Sequence, residues 1–123
     1  MDDDAFDQLF ADGPEVAAAR VFAEVFGPGA QPVRSFKDVR ARVARLGGVR
    51  QRSRFLTTSA MAEPAYAAGM EVALLWEHAY LAARIPVGDQ GLHIVLLREG
   101  LRAQRAADPY AAALAVLRRS GRG

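Results

Sequence analysis

Charge in this chain is sorted by segment, and that sorting constrains the fold more than any single motif. Residues 1–24 carry seven acids against one base, Arg20. Residues 34–54 carry eight bases (Arg34, Lys37, Arg40, Arg42, Arg45, Arg50, Arg52 and Arg54) against one acid, Asp38. Acids then outnumber bases by four to one over residues 55–96, and bases outnumber acids by six to two over residues 97–123. The whole chain sums to only +2. A chain polarised in this way must either fold its acidic and basic stretches together or present them as separate surfaces. The second arrangement attracts polyanions or an acidic partner.

The chain has 123 residues, of which 51% are hydrophobic, and no cysteine. That length fits one domain, residues 1–123, in which folding buries roughly two-thirds of the unfolded surface. Without cysteine there is no disulfide, thiolate metal site or thiol nucleophile. A reducing cytoplasm is the expected setting. The start, Met1 followed by Asp2, Asp3 and Asp4, is the reverse of a secretory signal. The longest apolar stretch, Ala65 to Ile85, is broken by Glu71, Glu77, His78 and Arg84, so no membrane span is expected. Arginine outnumbers lysine fifteen to one. The placement of these residues is therefore more informative than their type.

Punctuation divides the chain into helical segments. Asp12, Pro14 and Glu15 form a capping signature, and Gly27, Pro28 and Gly29 end the helix that follows. Ser35 with Asp38 opens a second helix, in which Phe36, Val39, Val43 and Leu46 make one apolar stripe. Gly47 and Gly48 stop it. The segment 49–61 is read as a further short helix or as extended chain. Pro64 starts a long helix to about Arg84, closed by Pro86 and Gly88. Asp89 can cap a helix to about Ala107, although Leu92–Leu97 also passes as a buried strand. Asp108 and Pro109 start a last helix to Arg119, and residues 120–123 form a frayed tail. The expected architecture is all-α: a compact bundle of five or six helices with a basic helical hairpin.

That hairpin is the leading functional candidate. Two basic helices joined across Gly47 and Gly48 have the outline of a helix-turn-helix. The fit is imperfect, because Arg54 stands where an apolar residue belongs and Phe55 comes one position late. The expected function is a small nucleic-acid-binding protein, alone or as one subunit of a larger nucleoprotein assembly. It would grip the phosphate backbone of DNA or RNA with Arg34, Lys37, Arg40, Arg42, Arg45, Arg50, Arg52 and Arg54. Few aromatics interleave these bases, so stacking on single strands has little support. The same run also fits a plain solvated helix face.

A second function class is a helical interaction or scaffold module. Met70, Leu74 and Leu81 form a narrow apolar stripe bordered by Glu71 and His78 on one side and by Glu77 and Arg84 on the other. This is the look of a partner or homo-oligomer interface with a polar rim. Phe6, Leu9 and Phe10 among the N-terminal aspartates fit either a first helical turn joining the core or a segment that folds onto the basic hairpin. A third class, an enzyme or small-ligand binder, has no motif behind it. There is no two-histidine metal spacing and no glycine-rich phosphate loop. Glu71 and His78 stand about 10 Å apart along a helix, too far to cooperate directly. No catalytic residue, metal or cofactor is assigned, and the chain is expected not to be an enzyme.

Overall fold

The structure, a computed structural model, describes residues 2–47 and 64–122. Helix α1 spans Asp2–Leu9 and α2 spans Pro14–Val25. Strand β1 (Val33–Ser35) leads directly into α3 (Phe36–Leu46). After α4 (Pro64–His78) come β2 (Ala82–Pro86), a short 3-10 turn at Gly88–Gln90, and β3 (Leu92–Leu96). Helices α5 (Arg98–Arg105) and α6 (Pro109–Arg122) complete the described chain.

The all-α expectation is therefore corrected: the fold is mixed α/β, with a three-stranded antiparallel sheet in the order β1-β3-β2. The physical reason lies at one residue. Tyr80 adopts φ 60°, the left-handed conformation that ends a helix. Its N–H donates to the Glu77 carbonyl (3.1 Å), and the Leu81 N–H donates back to the Trp76 carbonyl (2.8 Å). These two bonds form a Schellman motif, which usually relies on glycine at the left-handed position. A tyrosine there leaves no sequence signal, so the expected helix to Arg84 stops at His78. The chain past it becomes a strand. Asp89 likewise sits in the hairpin turn rather than capping a helix, with Gly88 and Gly91 both at positive φ.

Helix α2 is the hub. Its residues Val16–Ala19, Val21, Phe22 and Val25 are buried, and it packs most extensively on α6, then on α4 and α3. Trp76 of α4 closes the centre. It is fully buried, with its ring edge-on to Phe22 (5.9 Å) and Phe26 (5.8 Å). Its indole Nε1 donates to the Ala18 carbonyl at 3.0 Å, which satisfies its one polar atom. The small side chains along α2 let that carbonyl come within reach. The N-cap of α2 is Gly13, with no side-chain bond, rather than Asp12, whose carboxylate pairs with Arg20 at 3.2 Å. Phe6 and Leu9 of α1 are buried, so the acidic N-terminal segment joins the core through its apolar residues.

The sheet register follows from Val33↔Val95, Ala83↔Val95 and Arg84↔Ile94. Because side chains alternate, Ala82, Ile94 and Leu96 share the inner face, and all three are buried. Val33, Ala83, Ile85 and Val95 share the outer face, where Val33 and Ile85 are exposed. Helix α5 seats against Leu81, the residue just before β2, and against β3. A side chain at Gly100 would put Cβ 2.0 Å from the Leu81 carbonyl oxygen, so only glycine fits there.

Candidate nucleic-acid interface

Helix α3 is positioned by its own first residues. The Ser35 hydroxyl accepts from the Lys37 N–H (3.1 Å) and caps the N-terminus, as its sequence signature predicts. The stripe Phe36, Val39 and Val43 is buried, and Leu46 packs partly against the core. Phe36 meets Tyr66 of α4 edge-on at 5.1 Å. The two helices come close at Gly69, where an added Cβ would lie 3.7 Å from the Arg40 Cα and 3.1 Å from the Phe36 ring.

This seating divides the basic residues into groups. Arg34 is structural. Its Nε donates to Asp38 Oδ2 (3.0 Å) and its Nη1 to the Val25 carbonyl (2.9 Å), which ties the start of α3 to the end of α2. Arg45 is exposed and pairs with Glu24 of α2. Lys37 is exposed and makes no ion pair among the described residues. Arg40 and Arg42 are half-buried, and the Arg42 Nε is buried with no hydrogen-bond partner among the described residues. Arg50, Arg52 and Arg54 lie outside the described residues, as does the whole second arm of the expected hairpin. Counting charge along the sequence thus overstates the basic surface here, because Asp38 is brought to Arg34 of β1 and Glu24 to Arg45 of α3. Acid from the N-terminal third does fold onto the basic segment, and it comes from α2.

The apolar interface stripe is also divided. Leu74 is 44% exposed and Met70 is half-buried, whereas Leu81 is fully buried. Leu81 follows the Schellman turn instead of continuing α4, which carries it into the core and off the proposed stripe. The charges beside the stripe are coupled. Arg84 on β2 forms an ion pair with Glu77, and its Nη1 approaches Met70 Sδ at 3.1 Å. Glu71 and His78 are exposed.

Two surfaces lie outside the sequence-derived candidates. One is the outer sheet face, which has no signal until the strands are placed. The other is a cleft on α5 bordered by three arginines, legible only as a basic C-terminal third. No helix among the described residues is long and apolar enough to cross a membrane. Among those residues no three potential metal ligands come together. No protein family, curated protein or solved structure matches this chain.

Proposed function

We propose that the protein binds duplex nucleic acid by its phosphate backbone, with Lys37 and Arg40 of α3 as the contact and with little reading of sequence. The observation that carries this is the order of elements around α3. Helix α2, strand β1, helices α3 and α4, and the β2–β3 hairpin follow one another, with β1 pairing onto β3. Among the described residues, that is the order of a winged helix-turn-helix unit. In helix-turn-helix proteins the first helix of the pair crosses the backbone and the second enters the major groove. Among the described residues α3 is the first helix and α4 is the second.

The chemistry of each helix sets what it can do. Lys37 and Arg40 on α3 can neutralise phosphates. On the exposed side of α4, Ala67, Glu71 and Leu74 offer no donor for guanine or adenine edges, and His78, which does, stands at the C-terminal end, away from the first turns that usually meet bases. Backbone contact without base readout follows. A reducing cytoplasm, which the lack of cysteine fits, is the proposed setting, and no catalytic step is assigned.

Fluorescence anisotropy with labelled duplexes tests the reading. Lys37→Glu with Arg40→Glu should weaken binding at least tenfold at low salt, with the helical signal retained. Two duplexes of unrelated sequence should bind within about threefold of each other, far less than the 1–3 kcal/mol that one specific base contact confers. Binding that the charge reversal leaves unchanged would remove α3 as the contact.

A second reading, a protein-interaction module, rests on Leu74. An exposed leucine in the middle of α4, beside Met70, is the kind of anchor a partner or a second copy can cover.

A further inference from the structure

We infer that the outer side of α5 is a binding site for a small ligand carrying a chain of phosphates, separate from the α3 surface. Arg98, Leu101, Arg102, Arg105 and Ala106 line an open cleft of about 460 Å³ there. That volume lies within the roughly 300–1,000 Å³ typical of small-molecule sites. Arg98, Arg102 and Arg105 recur at helical spacing on one side of α5, opposite the buried Gly100 and Ala103. At 1.5 Å per residue, the first and last of these arginines leave the helix about 10 Å apart. Each guanidinium presents a planar fork of donors that matches phosphate oxygens two at a time. Half-buried Leu101 adds an apolar floor between them.

The cleft contains no carboxylate. Glu99, the one acid of α5, reaches Arg102 Nη1 (3.6 Å) and Arg119 Nη2 (3.8 Å), so an anion would compete with it for Arg102. The helix is also firmly held. Gly100 is pressed against the Leu81 carbonyl, and Gln104 Nε2 donates to the Ala30 carbonyl at 2.9 Å. The fixed backbone sets the spacing of the three arginines, while their exposed side chains remain free to close on an anion. The row is also short: Asp108, exposed just past its end, caps α6 through the Ala111 N–H (3.2 Å). A bounded cleft ended by an acid fits a small polyphosphate better than a continuous polymer.

Calorimetric titration of the full chain with inorganic tripolyphosphate at low salt tests this. Saturable binding at one site is expected, with orthophosphate much weaker because it meets fewer arginines. Arg102→Gln with Arg105→Gln should weaken tripolyphosphate binding at least tenfold. Arg102 is 74% exposed, so circular dichroism should be unchanged. Lys37→Gln with Arg40→Gln should leave tripolyphosphate binding intact. Absence of saturable heat would overturn the site. Equal loss in both double variants would also overturn it, by showing diffuse attraction. If the α5 variant weakens duplex binding as much as tripolyphosphate binding, the arginines belong to a nucleic-acid footprint and the small-ligand site is wrong. Tripolyphosphate binding in a protein that fails to bind duplex would separate this site from the proposed function.

Discussion

Tyr80 sets the course of the second half of the chain. Its left-handed conformation costs a non-glycine residue roughly 1–2 kcal/mol, and its side chain is 71% exposed, so little packing offsets that cost. Tyr80→Gly should therefore stabilise the fold, by about 0.5–1 kcal/mol after glycine's own entropy is counted, and raise Tm by a few degrees. Thermal unfolding checks this, and a lower Tm would mean that the tyrosine ring makes a contact that matters. Gly100 behaves in the opposite way. With the Leu81 oxygen 2.0 Å from where Cβ would sit, Gly100→Ala must push α5 away from the Leu81 backbone. The expected loss is about 1–3 kcal/mol, the usual range for overpacking, read from the denaturation midpoint.

At the level of elements, α4 and its exit separate what the sequence shows from what it hides. The α3 cap at Ser35, its apolar stripe, the start of α4 at Pro64 and the start of α6 at Pro109 were all legible, because each has local chemistry with one meaning. The end of α4 was not, since tyrosine occupies a position where glycine would have announced the turn. Strand β2, with Ala82, Ala83 and Arg84, has helix-compatible composition, and only pairing with β3 makes it a strand. Leu92–Leu97 was legible as ambiguous, and β3 resolves it as strand over Leu92–Leu96. Two substitutions read out this difference. Leu74→Glu should leave the domain folded, because Leu74 projects from α4 into solvent. Leu81→Glu should unfold it, because a carboxylate would replace a fully buried leucine. Similar circular dichroism melts for the two variants would contradict the placement of the helix end. The N-terminal helix gives a third test. Phe6 is buried and lies against Gly47, so Phe6→Ala should cost up to about 3 kcal/mol. Deleting residues 1–12 should lower stability for the same reason.

Across the whole molecule, the sorted charge of the sequence becomes a partly paired surface. Glu24 meets Arg45, Asp38 meets Arg34, Glu77 meets Arg84, and Glu99 lies between Arg102 and Arg119. Such pairings depend on which elements become neighbours, so a one-dimensional count of charge could not foresee them. Outside those pairs α3 keeps Lys37, which is exposed, and Arg40, which is half-buried beside α4. If these two residues contact a duplex backbone, the affinity must fall with salt, because each neutralised phosphate releases counterions. The most direct measurement is duplex affinity between about 50 and 200 mM salt for the wild type and for Lys37→Gln with Arg40→Gln. The wild type should give a linear log–log plot with a slope of about −0.9 per phosphate contacted. The double variant should lose close to two contacts' worth of that slope. A wild-type slope near zero, or the same slope in both proteins, would contradict the account.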